Sequence, residues 1–259
     1  MIPNFCLLVA IDRAHVDEFS ISYKTWMRHK PSLRERPLLL IVDRFRNDAE
    51  RQETADIVTM LLKNHSKVHC STAIDRPYGS QREKMLASLT LDGPQYAQIL
   101  GFQYYLKLDT DCIATGNDAW IDPAWFRGSP AIIASPWGYS KPASQIADFA
   151  KWSDQHPGMF PRPMPEHHIT DGGKAIHRRM ISYCQFGNVD WCCRMANIVG
   201  PNDGRLPIPS QDGFLSLCAA RNGAETRYVK MKNLGWQHVG GGGRRLREAA
   251  AAAMELPQT

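Results

Sequence analysis

The chain has 259 residues, 43% of them apolar, 22% charged and 9% aromatic, a globular composition that excludes a disordered, collagen-like or coiled-coil protein. The 31 lysines and arginines against 26 acids give a net charge of +5. The arginines fall into small groups (Arg34/Arg36, Arg44/Arg46, Arg178/Arg179, Arg244/Arg245/Arg247) rather than one stripe, which fits solvated faces better than a nucleic-acid footprint. Seven cysteines, an odd number with no C-x-x-C pair, argue for buried thiols and a reducing, cytoplasmic setting. No apolar run approaches the roughly 20 residues of a membrane span, and the short run at Phe5–Ile11 lacks the basic segment that opens a leader.

From the N-terminus, Cys6–Ile11 is a continuous apolar run of strand length that ends at Asp12, as expected of a strand buried on both faces. Val16, Phe19, Tyr23, Trp26 and Met27 recur at helical spacing, and Pro31 closes that helix. Leu38–Val42 reads as a second strand ending at Asp43, followed by a helix from about Glu50 to Lys63, and Val68–Ile74 as a third strand. Ser80 with Glu83 three residues on is a capping box for a helix reaching about Leu89, and a short helix over Pro94–Leu100 leads into the strand Tyr104–Leu108. Strands alternating with helices of about ten to fifteen residues predict right-handed βαβ units and a mostly parallel, Rossmann-like α/β sheet.

Beyond that the pattern is less regular. Ala131–Ser135 and Lys174–His177 read as strands, Ala143–Trp152 and Gln211–Arg221 as helices, and Gln155–His168 as a loop rich in proline, histidine and methionine with the character of an acceptor lid. Trp137-Gly138-Tyr139 suits an acceptor wall or, more simply, the core, and Trp191-Cys192-Cys193 is expected to pack on the late helix. Adjacent His167-His168 do not suit convergence on one ion. From Gly240 onward the sequence reads as a flexible hinge followed by a short helix or disorder.

The sharpest chemical feature is Asp109-Thr110-Asp111, two carboxylates that follow directly on an apolar strand. In an open parallel sheet, ligands bind beyond the carboxyl ends of the strands, which is where this pair projects. Acids so close repel unless a cation sits between them, and a hard divalent ion shared with phosphate oxygens supplies it. A calcium loop starting at Asp109 is ruled out, since Ala114 takes its sixth position and Trp120 its twelfth. A haloacid-dehalogenase-like phosphohydrolase, with Asp109 as nucleophile and Asp111 as acid/base, is the alternative enzyme class.

Four motifs together resemble the GT-A class of nucleotide-sugar glycosyltransferases, from Phe5 to about Val239. They are the D-x-D of Asp109/Asp111, the glycine loop Asp171-Gly172-Gly173 before Lys174–Arg179, the acidic Ser210-Gln211-Asp212-Gly213 that opens a late helix, and His238 near the C-terminus. The resemblance implies a single GT-A-like domain, with residues 1–111 binding the nucleotide-sugar, 112–239 the acceptor, and 240–259 a tail. It implies Mn2+ or Mg2+ held by Asp111 and His238, with Asp109 contributing directly or through water and ribose. It further implies a UDP-sugar as favoured donor, Gly172 and Gly173 in the cofactor-binding loop, and nucleotide contacts around Ala10, Ile11, Asp12 and Asp43. Asp212 matches the general base of inverting members. Arg82 and Lys84, first-turn cations that oppose their helix dipole, are candidates for the base or phosphates. The acceptor is open, and modified DNA bases are one class that the arginine groups permit.

Overall fold

The computed structural model describes residues 1–42, 47–77, 79–166, 168–169, 174–180, 184–200, 204–240 and 243–256; at 81, 137–141, 168–169 and 174–180 it describes the backbone alone. Strands β1 (Phe5–Ile11), β2 (Leu38–Val42), β3 (Val68–Thr72) and β4 (Tyr104–Leu108) form the parallel half of the sheet, linked by α1 (Val16–His29), α2 (Asp48–Leu62), α3 (Gln81–Ala87) and α4 (Gly93–Ile99). A short β5 (Cys112–Ala114) follows the D-x-D, and β6 (Ile132–Ala134) and β7 (Trp137–Pro142) precede α5 (Ala143–Asp154). The rest comprises β8 (His168–Ile169), β9 (Lys174–Met180), β10 (Cys184–Asn188), α6 (Val189–Val199), α7 (Gln211–Asn222), β11 (Thr226–Tyr228), β12 (Trp236–His238) and α8 (Gly243–Glu255). Seven strands make the central sheet in the order β11-β6-β10-β4-β1-β2-β3, with β10 antiparallel to both neighbours. A mixed but mostly parallel α/β sheet is thus what the alternating pattern predicts.

The two-residue period of the strands sorts their side chains between two cores. Cys6, Leu8 and Tyr105 face α4, α6 and α7, whereas Phe5, Leu7, Val9, Tyr104, Leu106 and Leu108 face α1 and a cluster of aromatic rings that includes Trp26, Trp120, Phe186 and Trp236. Lys107 falls on the α7 side of the sheet. Among the elements that the sequence pattern missed, β5 and β12 have three residues each and β10 reads Cys-Gln-Phe-Gly-Asn, but α6 is an eleven-residue amphipathic helix whose apolar face was read only as a packing segment. Gly187 is required in β10 because a Cβ there would lie 2.3 Å from the Tyr105 ring. The helix expected to reach Leu89 stops at Ala87 and passes into a π-helical turn over Ser88–Asp92. Fully buried Arg76 bonds Ser88 Oγ and Asp92 Oδ1 there, each at 2.9 Å.

Two further segments are more constrained than their composition suggests. The residues after Gly240 include α8, whose Leu246, Ala250 and Ala253 pack against Ile113 and Ile21. Arg28 and His29 of α1 donate to the carbonyls of Leu256 and Ala253 at 3.1 and 2.7 Å. The start of the proline-rich loop is tied to the end of α7: Arg221 donates to the Arg162 and Phe160 carbonyls, Asn222 donates to that of Met159, and Phe160 is buried. That stretch is therefore anchored rather than a free lid. Trp191 donates to Asn222 Oδ1 at 3.2 Å, so α6 does pack on the late helix. Among the described residues, no helix is long and apolar enough to cross a membrane.

A buried lysine closes the α1 face. Lys30, wholly inaccessible at the α1 C-terminus, donates to the carbonyls of Asn117 and Leu234 and lies over the Trp120 ring. Burial, only partly offset by the Asp118 carboxylate, pushes its pKa from 10.5 down to about 8. Between those values the unfolded chain holds the extra proton, so this residue makes stability rise with pH across the window. Urea unfolding from pH 7 to 10.5 is expected to show wild-type stability gaining up to about 3 kcal/mol over that of Lys30→Met; parallel pH profiles would refute the assignment.

Candidate active site

Asp109 and Asp111 sit just past the carboxyl end of β4, and the Cys112 N–H to the Asp109 carbonyl (3.0 Å) turns the chain between them into β5. β12 lies antiparallel on β5 with His238 opposite Cys112, and the Val239 N–H donates to the Asp111 carbonyl at 3.1 Å. This pairing carries His238 Nε2 to 3.2 Å from Asp111 Oδ2. One ligand atom from each of Asp109, Asp111 and His238 lies within 4.8 Å of the others, so the three residues named from sequence do converge. Two carboxylates and an imidazole are a donor set that suits manganese or magnesium.

α1 backs this corner: Trp26 Nε1 donates to the Cys112 carbonyl at 2.5 Å, and the Ala114 N–H donates to Thr25 Oγ1 at 2.9 Å. The pair His238–Asp111 is electrostatically matched in the absence of an ion. The hydrogen bond to Asp111 raises His238 above the usual histidine value despite burial. Burial alone would raise Asp111, yet its bond to His238 holds it below the usual carboxylate range.

The opposite wall is the start of α7. Ser210 caps the helix, its Oγ accepting from the Gly213 N–H at 3.2 Å, which places Asp212 in the first turn. Its carboxylate does not stand alone. Lys107, two residues before Asp109 and 5% exposed in its side chain, sends its ammonium to Asp109 Oδ1 at 2.6 Å and to Asp212 Oδ1 at 3.4 Å. Burial works against that charge, and the two carboxylates outweigh it, so the lysine is held protonated above its ordinary range. Beside it, Gln185 stands directly across from Lys107 on β10, and Gln211 precedes Asp212. Both carboxamides are buried, and among the described residues Gln185 Oε1 and both heteroatoms of Gln211 have no partner. Lys107 and Gln185 escaped the sequence reading; an isolated cation inside an otherwise apolar strand is the signal that could have found the first.

The remaining candidates are spread along the same sheet edge. Asp12 ends β1 and accepts from the backbone and ring of His15 at 2.8 and 2.6 Å. Burial would raise Asp12, but the His15 hydrogen bond holds it below its usual range, and in return that bond raises His15. Ala10 is half-buried, and the Ile11 side chain lies inside the core, leaving its backbone to the edge. Arg82 and Lys84 occupy the first turn of α3, with Arg82 exposed and Lys84 bonded to Asp75 Oδ1 at 3.0 Å. Asp43, Gly172 and Gly173 lie outside the described residues, as do the side chains of Trp137–Tyr139 and His168 and the whole of His167.

No protein-family model and no curated protein sequence matches the chain. Solved structures do share its fold. Core-mannan synthase A from Aspergillus fumigatus, in a Mn/GDP form, superposes with a TM-score of 0.57 at 12% identity over 91% of this chain and 74% of that one. The mannosyltransferase Ktr4p from S. cerevisiae, in complex with GDP, gives 0.58 at 10% identity over 91% and 71%. At such identities the likeness is one of fold, and it is the GT-A-like α/β fold that the motifs imply.

The described cap of α3 offers a local check. Ser80 Oγ accepts from the Glu83 N–H at 3.3 Å while Glu83 Oε2 accepts from the Ser80 N–H at 2.7 Å. Ser80→Ala is expected to cost about 1 kcal/mol in urea unfolding; no loss would mean that this turn is not held by its cap.

Proposed function

We propose that this chain is a metal-dependent glycosyltransferase that moves a sugar from a nucleoside diphosphate to an acceptor hydroxyl. The observation that carries the proposal is the meeting of Asp109, Asp111 and His238 at the carboxyl edge of β4, in a fold shared with a mannan synthase in a Mn/GDP form. Asp111 and His238 would hold the ion, with Asp109 as third contributor. A bound divalent ion supplies the positive charge that stabilises a departing diphosphate.

The chain's own groups account for the rest of the chemistry. Asp212 faces the space between α7 and the D-x-D from the first turn of α7, with Oδ1 engaged by Lys107. Among the described residues Oδ2 has no partner, and it is the atom assigned to take the acceptor proton as the hydroxyl attacks C1. That role makes the transfer an inverting one. Gln185 Oε1 and the carboxamide of Gln211, unpartnered among the described residues, would accept from and donate to sugar hydroxyls, satisfying buried groups that otherwise cost about 1–3 kcal/mol each. Asp12 and the β1 edge are assigned to the nucleotide. The phosphohydrolase alternative makes Asp109 a nucleophile, for which the ammonium 2.6 Å from its Oδ1 leaves Oδ2 as the attacking atom.

Calorimetric titration of UDP, the donor base favoured from sequence, and of GDP tests the metal. Binding is expected to need Mn2+ or Mg2+ and to weaken by about tenfold or more in Asp111→Asn and His238→Ala. Equal affinity in EDTA removes the ion from the reading, and brisk hydrolysis of p-nitrophenyl phosphate would replace a transferase by a phosphatase.

For Asp212→Asn, metal-dependent nucleotide affinity is expected to survive while turnover falls by about 10²–10⁴, because a general base acts on the acceptor proton in the transition state. A residue that only serves the helix start would instead lose at most about 1 kcal/mol of stability with normal turnover per folded molecule. Proton NMR of the product supplies an independent check: retention of anomeric configuration would strip Asp212 of this role.

A further inference from the structure

Lys107 lies in the next-to-last position of a strand that is buried at every residue. A buried ammonium is costly unless its partners are close and well placed, and this one has two carboxylates, Asp109 at 2.6 Å and Asp212 at 3.4 Å. Among the described residues no other cation contacts either acid. Asp111 has its own internal partner in His238 at 3.2 Å. Each of these three acids is thus already answered by a positive or ionisable group of the protein. For Asp111 that group is itself a candidate ligand of the ion. For Asp109 it is a lysine, which has no lone pair to offer while charged.

Resting on the reading of Asp109, Asp111 and His238 as the metal ligands, we propose that Lys107 is an internal counter-cation that holds Asp109 and Asp212 in place in the metal-free protein and competes with the divalent ion for Asp109. Its charge sits on a buried side chain held between two carboxylates, so an ion drawing on Asp109 works against that attraction. A bare ion therefore binds more weakly than the same three ligands would allow. The consequence for diphosphate has the opposite sign: the ammonium offsets one of three carboxylates and lowers the repulsion that a polyanion meets at this edge. Lys107 thereby biases the site toward an ion arriving with its diphosphate over an ion alone. It acts through Asp109 and Asp212 and is a positioning residue.

The test is Mn2+ affinity of the metal-stripped full chain by calorimetry, together with its melting temperature with and without the ion. Lys107→Met is expected to bind bare Mn2+ at least about tenfold tighter than wild type, to melt lower without metal, and to gain more on metal addition. In saturating Mn2+ its affinity for GDP or UDP is expected to fall. Lys107→Arg, which keeps the charge, is expected to stay near wild type in bare-ion affinity. General damage to the fold would weaken both affinities rather than move them in opposite directions. If Lys107→Met does not fold, Asp212→Asn against Lys107→Met/Asp212→Asn gives the same comparison with one acid removed, and the double variant is expected to bind Mn2+ tighter. Unchanged or weaker Mn2+ binding on removal of the lysine overturns the proposal. Its failure is distinct from failure of the metal reading, which would appear as wild type binding no Mn2+ or as His238→Ala binding it equally well.

Discussion

His238 reaches Asp111 only because β12 lies antiparallel on β5, and on that three-residue pairing the geometry of the site depends. Neither strand belongs to the central sheet, and so short a ladder would not persist alone in water. It is held from both sides. α1 supplies Trp26 and Thr25 to the backbone of β5, and Lys30 binds the carbonyl of Leu234 at the approach to β12. Gly235, at φ +80°, makes the intervening turn in a space where a Cβ would stand 1.8 Å from the Thr115 carbonyl oxygen. α8 then covers the outer side, packing Leu246 on Ile113 of β5.

A second theme is the use of buried cations as ties between segments distant in sequence. Lys30 joins the end of α1 to two loops, Arg76 fixes the approach to α3 against the π-turn, and Arg221 binds α7 to the proline-rich loop. Each is almost wholly inaccessible, and each donates several hydrogen bonds, which is the condition under which a charge survives burial. Lys107 follows the same physics at the site itself, with two carboxylates as its acceptors. The difference in setting matters. Acceptors away from the site make a permanent tie, whereas carboxylates that would face a divalent ion have two possible partners.

The placement of charge also explains why the two ends of β4 differ. At its start the strand is covered by aromatic rings, Tyr104 against Phe126 among them. At its end it passes from Leu108 into acids within four residues of chain, with an ammonium on one side and an imidazole on the other. Buried Gln185 Oε1 and both carboxamide heteroatoms of Gln211 have no hydrogen-bond partner among the described residues, which sets them apart from most buried polar groups.

What the sequence alone determined is what local chemistry controls. The apolar runs of β1, β2 and β4, the helical spacing in α1, the Ser80–Glu83 cap and the position of Asp109 and Asp111 at a strand end all follow from periodicity and short-range hydrogen bonding, and the structure has them where they were read. The GT-A-like fold was legible in the order of motifs. Only the tertiary structure decided the rest. Three-residue strands carry no periodic signal, so the β5–β12 pairing could not be seen, and His238 was placed by resemblance instead of by geometry. The alanine run of α8 reads as a free tail because its docking rests on Ile113 and Ile21, far away in sequence. Lys107 looks like one charge among many until β10 and α7 close over it, since the cost of burying a charge, and therefore its meaning, is set by whichever groups the fold brings within hydrogen-bonding distance.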